Sequence, residues 1–347
     1  MAHWRNPGVL AALGAALLFG ASTPVAKLLL DATSPWLLAG LLYLGSGLGL
    51  LIVRLVGRPA RVSVPRGERL WLAGAIAAGG IVAPVLLLYG LTRMPASGAA
   101  LLLNAEGLFT ALIAWFAFRE NFDRRIFLGM LAILAGVALL SWSGEARFGA
   151  LWPALAILGA CLAWGLDNNL TRRVSLSDAT FIAMTKGLAA GGINITLAFA
   201  AGAELPALRP LAISLVVGFF SYGLSLTLFV LALRHLGTAR TGAYFSTAPF
   251  AGAAIALVFL REPLTGQFVA AALLMALGVW LHLSERHEHL HRHEALEHSH
   301  EHEHDEHHRH AHDAPVAPGV RHTHRHRHEP LEHSHPHFPD AHHRHEH

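Results

Sequence analysis

LTRMPASGAALLLNAEGLFTALIAWFAFRENFDRRIFLGMLAILAGVALL, Leu91 to Leu140, reads as an apolar helix, a short charged turn and a second apolar helix. The chain says it again without a gap from Leu233: LRHLGTARTGAYFSTAPFAGAAIALVFLREPLTGQFVAAALLMALGVWLH. Arg119-Glu120 falls on Arg261-Glu262, Ala111 on Ala253 and Gly136-Val137 on Gly278-Val279. The same shift carries Gly45-x-x-x-Gly49 onto Gly187-x-x-x-Gly191, and at the front LGAALLFG (Leu13 to Gly20) answers LGACLAWG (Leu158 to Gly165) at a slightly longer shift. Registered pairs at a near-constant offset mark a duplicated unit of about 135 residues, the kind of repeat that decides a fold.

Working outward from the repeat, 53% of the residues are hydrophobic and 14% charged, and the charge is unevenly placed. Residues 8–283 are almost all apolar, whereas 284–347 are almost all His, Glu, Asp, Arg and Pro. A soluble domain needs more polar surface than the first part has, so it reads as a membrane protein. The second part lacks the apolar residues to bury a core and is expected to be disordered. One cysteine, Cys161, excludes an internal disulfide and a Cys-based zinc site. The high isoelectric point, about 9.4, comes from arginines at helix ends and does not point to nucleic acid.

A helix needs about 20 apolar residues to cross the hydrocarbon core. Ten stretches qualify: 8–30, 35–56, 69–91, 96–118, 124–142, 150–171, 178–200, 208–233, 239–260 and 264–283. The first is too long for a signal-peptide core and has a partner in the second repeat, so it is expected to be retained. The expected domains are 8–142 and 150–283, five helices each, and the tail 284–347. Arginines in the short loops are asymmetric: Arg5, Arg54, Arg58, Arg61, Arg66, Arg69, Arg119, Arg124, Arg125, Arg172, Arg173, Arg234 and Arg240 on one side, against Arg93, Arg147, Arg209 and Arg261 on the other. The rich side is cytoplasmic by the positive-inside rule, which puts both termini inside a cell (inner) membrane. Five helices per unit is an odd number, so the second unit must be inverted relative to the first, an arrangement that places a substrate site at the repeat interface. The expected fold is therefore an all-α integral membrane protein of ten transmembrane helices in two inverted repeats. Gly-x-x-x-Gly lets helices approach closely, and Pro24, Pro84 and Pro249 lie inside spans, where each removes a backbone donor.

An apolar-Trp/Phe-Gly start, an Ala/Ser-rich fourth helix ending in Arg-Glu and a last helix with Ala-Gly-Val or Leu-Gly-Val resemble the EamA domains of the drug/metabolite transporter superfamily. The resemblance covers residues 8–283, twice over. It implies inverted repeats and transport of a small molecule. Sequences of that kind often carry Glu-Pro where this chain has Glu106-Gly107 in one repeat and Ala248-Pro249 in the other, and a basic residue at the position of Lys27.

Ionisable residues at membrane depth usually face a cavity or a partner. Glu106, midway along the fourth helix, is the leading candidate: it carries a coupling proton, pairs with a cationic substrate, or is a structural carboxyl paired with Lys186 or a backbone group. Lys27 either serves the substrate or snorkels to the interface. Asp167 is a site residue or a local helix-end partner of Thr171 and Arg172. Asn104, Asn168 and Asn194 add amides, and Trp115, Trp164, Tyr89 and Tyr244 line a cavity or pack in the ordinary way. No nucleophile–base set, phosphate loop or ATP-binding segment is evident, so the chain reads as a non-enzyme that needs no cofactor and is driven by a gradient. A homodimer is left open.

The tail holds runs of His-x-His: His287, His289, His291 and His293; His298, His300, His302 and His304; His322, His324, His326 and His328, with further histidines between and after. Neutral imidazole is a good ligand for nickel, zinc and cobalt, and closely spaced imidazoles can hold a metal without a fold. Two main readings follow. One is a secondary transporter, expected to be an exporter, of a small organic metabolite or amphiphile, with a metal-binding regulatory or buffering tail. The other is a divalent-metal exporter fed by the tail. A non-transporting membrane scaffold is the third.

Overall fold

The computed structural model describes residues 7–57, 65–118, 124–141, 148–175 and 177–283 of a helical body, and 288–293, 297–302, 322–327 and 331–336 of the tail. Body and tail form separate compact units. Arg119-Glu120 and Arg147 lie outside the described residues, as do His287, His304 and His328.

The first half of the body runs α1 (Pro7–Gly20), α2 (Ser22–Leu29), α3 (Pro35–Gly57), α4 (Arg69–Ala75), a π-helical turn (Ile76–Val82), α5 (Ala83–Thr92), α6 (Ala96–Leu102), α7 (Ala105–Phe118) and α8 (Arg124–Ser141). The second half runs α9 (Phe148–Val174), α10 (Ala179–Ala200), α11 (Leu208–Val217), a second π-turn (Gly218–Leu224), α12 (Ser225–Phe245), α13 (Ala248–Phe259) and α14 (Gly266–Leu283). Seven helical segments are long and apolar enough to cross a membrane, and three shorter apolar helices, Phe127–Leu140, Ala248–Phe259 and Gly266–Leu281, lie on the remaining expected stretches. Helices satisfy their own backbone groups, which an apolar surrounding demands.

The spans are less uniform than their composition suggests. The fourth is interrupted at Leu103 and Asn104, where the amides of Asn104 and Glu106 donate three residues back, to Leu101 and Leu103. The Asn104 side-chain amide also donates to the Leu101 carbonyl (3.0 Å), local competition that Asn brings to a helix. In the second half helical turns run from Ser225 to Phe245, but the Phe229 and Phe245 rings lie 4.9 Å apart where a straight helix would separate them by about 24 Å. The chain therefore turns back between them, and a further interruption comes at Ser246 and Thr247. Pro249 then sits in the first turn of α13, where a missing amide hydrogen does no harm.

The halves correspond over much of their length, the second having α9 where the first has α1 and α2. The π-turns Ile76–Val82 and Gly218–Leu224 are displaced, at both ends, by the same offset that carries Leu91 onto Leu233. Packing is reciprocal too: a Cβ on Gly136 would meet Met275 and Ala271, and one on Gly278 would meet Ile133 and Gly129. Ile133 and Gly129 are the repeat counterparts of Met275 and Ala271. Helices α3 and α10 touch through glycine as well, Gly47 against Gly187 and Leu188, Gly191 against Leu44. Small residues here bring backbones into contact.

In the tail the described residues form β1 (Glu288–His293), β2 (Glu297–His302), β3 (His322–Arg327) and β4 (Leu331–Pro336), paired antiparallel as β1–β4 and β2–β3. His-x-His has the two-residue period of a strand. The register sets His289 opposite His335 and His291 opposite His333. It sets His298, His300 and His302 opposite His326, His324 and His322.

Candidate functional site

The interruption at Leu103 and Asn104 puts Glu106 in the first turn of α7, 8% exposed. Its Oε1 accepts a hydrogen bond from Asn168 Nδ2 on α9 (2.9 Å), which also donates to Thr110 Oγ1 (3.2 Å). Asn169 holds the same two helices together by donating to the carbonyls of Thr110 (3.0 Å) and Gly165 (2.9 Å). An amide adds no charge, so Asn168 orients the Glu106 carboxylate without neutralising it.

The neighbouring acid is treated differently. Asp167 is met by Lys186 of α10, whose Nζ lies 2.5 Å from Oδ1 and 2.8 Å from Oδ2. Thr171 Oγ1 donates to Asp167 Oδ1 (2.8 Å) and accepts from Lys186 Nζ (3.2 Å). Side-chain exposures of 1% for Lys186 and 7% for Asp167 leave the pair dry. The alternative of Lys186 as the partner of Glu106 gives way to this pairing, and Asp167 reaches Lys186 as well as Thr171. Space for the acid comes from Gly79 in the first π-turn, since a Cβ there would overlap Asp167 Oδ2. The Gly79 carbonyl accepts from Tyr43 Oη (2.6 Å) and Trp164 Nε1 (3.0 Å), and the Gly80 carbonyl from Asn194 Nδ2 (2.9 Å). A π-turn departs from the i→i+4 ladder, and side chains of three other helices serve its carbonyls here.

Between these groups lies a cleft lined by Phe19, Tyr43, Glu106, Trp164, Asp167, Asn168, Ser221, Tyr222, Ser225, Leu226, Phe229 and Phe245. An adjoining pocket shares Phe19, Glu106, Asn168, Phe229 and Phe245 and adds Thr110, Gly242, Ser246 and Pro249. The rings form a connected wall: Tyr43 on Tyr222 (centroids 5.2 Å), Tyr222 on Phe19 (5.7 Å), Phe19 on Phe245 (5.4 Å) and Phe245 on Phe229 (4.9 Å). Both halves of the chain contribute walls, and Ser221 and Tyr222 come from the second π-turn.

Glu106, Asp167, Asn168 and Trp164 thus come together, with Lys186 joined to them through Asp167. Asn104, Tyr244 and Lys27 stand elsewhere. Asn104 is fully buried and donates weakly to Met275 Sδ on α14 (3.7 Å). Tyr244 packs on the cluster of Val9, Ala12, Ala232 and Leu236. Lys27 holds the end of α5, donating to the carbonyls of Leu91 (2.6 Å) and Met94 (3.1 Å). Across the same turn Glu262 receives the amides of Ala96 (2.7 Å) and Ser97 (2.8 Å), the first of α6. The repeated Arg-Glu pair gains a meaning in its second copy: Arg261 turns the chain with a positive φ of 53°, and Glu262 caps the helix opposite. The aromatic wall was not foreseen as a site. Its one signal was the repeat, which makes Phe19 the counterpart of Trp164. Among the described residues no group of three His, Cys, Asp or Glu side chains stands together to hold a metal ion, which leaves the metal-export alternative without support.

A sequence model of the EamA-like transporter family matches residues 6–142 and 151–284. The chain is 28% identical over 293 residues to an uncharacterized transporter of Methanothermobacter thermautotrophicus, covering 79% of this chain and 85% of that one. It is 26% identical over 311 residues to a protein of Salmonella typhimurium named probable amino-acid metabolite efflux pump, covering 80% of this chain and 95% of that one. A crystal structure of a protein 19% identical to it has the same fold, with a TM-score of 0.63 over 80% of this chain and 96% of that one.

Proposed function

Because the chain belongs to the EamA-like transporter family, whose members are multi-pass membrane proteins that move small molecules, we propose that it is a gradient-driven exporter of a small organic metabolite. Its ten spans form two inverted five-helix repeats in the cell (inner) membrane, with both termini cytoplasmic and the Lys27 end facing outward. The cleft between the halves is the substrate site, and Glu106 exchanges its cargo for a proton. The observation that carries this reading is the Glu106 carboxylate, set in a cleft with walls from both halves and oriented by an amide rather than met by a cation. Reciprocal packing of Gly136 and Gly278 supports the repeat, and the efflux named for the Salmonella relative supports the direction. The tail binds nickel, zinc or cobalt and regulates or buffers.

The test is metabolite profiling of spent medium from cells expressing the chain or its Glu106→Gln variant at equal levels of folded protein. A compound that accumulates only with the unaltered chain is the expected result. Equal export by the variant would remove Glu106 as the carrier group, and media indistinguishable from those of cells without the gene would remove transport itself.

A further inference from the structure

The donors and acceptors around the cleft are unequally committed. An ammonium has three N–H donors, and the three of Lys186 are matched by Asp167 Oδ1, Asp167 Oδ2 and Thr171 Oγ1. Both amide hydrogens of Asn168 are engaged by Glu106 and Thr110. Trp164 Nε1 and Tyr43 Oη are directed to the Gly79 carbonyl, and Ser225 Oγ donates to the Ala15 carbonyl (2.8 Å). Donors on the wall are therefore nearly all occupied. Acceptors are not: an ionised carboxylate offers about four lone-pair sites, and among the described residues Glu106 receives one hydrogen bond, at Oε1. Facing it is the ring wall of Phe19, Tyr222, Phe245 and Phe229, the surface that attracts a cation and an apolar body alike.

We propose that the cargo is an organic monocation, an amine on an apolar or aromatic body that carries no free carboxylate. The proposal rests on the cleft being the substrate site. A cargo ammonium brings the donors that Glu106 lacks, and its body lies on the rings. A zwitterionic amino acid fits poorly. Its carboxylate would find Lys186 already engaged and would sit in the same small cleft as Glu106, with the hydroxyls of Ser221 and Tyr222 as its remaining polar company. Amino-acid derivatives whose carboxyl group is removed, amidated or esterified meet the requirement, and free amino acids do not.

Three probes with one body separate the cases: 2-phenylethylamine, phenylalanine and 3-phenylpropionate, titrated calorimetrically into the full chain in detergent. The amine is expected to bind at least about tenfold more tightly than phenylalanine, a difference the loss of one charged contact provides, and 3-phenylpropionate is expected to show no saturable binding. Glu106→Gln should abolish amine binding, and Glu106→Asp should keep the rank order. Phenylalanine or 3-phenylpropionate binding as well as the amine would overturn the proposal, as would amine binding that survives Glu106→Gln. The ranking on the unaltered chain decides even if a variant does not fold. Binding is read at equilibrium without a gradient, so a chain that ranks the amine first through Glu106 but moves nothing in cells would sink the transport reading and leave the ligand class standing, whereas a variant that loses amine binding and still exports would overturn the cargo class.

Discussion

Phe19 and Trp164 meet edge to face, with ring centroids 5.6 Å apart and planes at 86°, and they are the same position of the repeated unit. When two like units face each other across a two-fold axis, residue i of one meets j of the other and j meets i. A residue that touches its own counterpart must lie at the axis itself. The cleft beside this pair takes Glu106 from the first half and Ser221 and Tyr222 of the second π-turn from the second.

The Lys186–Asp167 pair gives the first prediction. Truncating one member of a buried ion pair strands the other and costs about 3–5 kcal/mol. Lys186→Met and Asp167→Asn should each lower the melting temperature in detergent well below that of the unaltered chain, and the double variant should recover most of the loss. A double variant no better than the worse single one would show that the two side chains do not act as a pair.

Gly79 and Gly192 make a matched comparison on neighbouring helices. A methyl at Gly79 would enter the space of Asp167 Oδ2, whereas one at Gly192 would meet nothing within 4 Å. Overpacking of this kind costs about 1–3 kcal/mol. Gly79→Ala should lose transport and stability together, and Gly192→Ala should be silent in the same export and melting assays. Equal tolerance at both positions would contradict the crowding described around Asp167.

Much of this architecture was legible in the sequence, for reasons that also explain what was not. Glu106, Asp167 and Lys186 stand out because charge is rare in an apolar run, but their pairing is invisible: nothing in the spacing says that Lys186 chooses Asp167 over Glu106. Phe229, Phe245 and Tyr222 are chemically indistinguishable from the exposed Phe116 and Phe220 until the helices are placed. The π-turns have no composition of their own, and Ile76–Val82 reads as ordinary apolar helix. Tyr244 packs on Val9 and Leu236 while its neighbour Phe245 lines the cleft, a difference that two adjacent aromatics do not show in composition.

Lys27 and Glu262 clasp the turn between α5 and α6 from opposite halves of the chain. A Cβ on Gly252 would meet the Gly20 carbonyl and Ala100 of α6, and Leu226, Gly242, Phe245 and Ser246 line the cleft and its adjoining pocket. Charge-assisted hydrogen bonds of this kind are among the stronger ones. With Ala100→Cys as reporter in a Cys161→Ala background, Lys27→Ala and Glu262→Gln should each speed labelling of intact cells by an impermeant maleimide at least about tenfold. Unchanged labelling in both would mean that the clasp does not hold this end shut, and labelling only after lysis would reverse the orientation proposed for it.

The tail is expected to be separable. A chain ending at Glu285 should insert and export as the full chain does, while only the full chain should bind nickel or zinc. A protonated imidazole cannot be a ligand, and the ring titrates ordinarily near pH 6.5. Metal bound above that pH should therefore be released as pH falls through it. Loss of export on truncation, with no metal present, would make the tail part of the transport machinery.

The two π-turns carry a date. Each is a helix turn wider than its neighbours, and both lie at the same register, Ile76–Val82 and Gly218–Leu224. Two independent accidents at one position of both halves are a poor account of that coincidence. A single accident, copied when the chain doubled, is a better one. On that account the widened turn is older than the duplication. Half-length descendants should keep the turn, and a lineage of them without it would reverse the order of events.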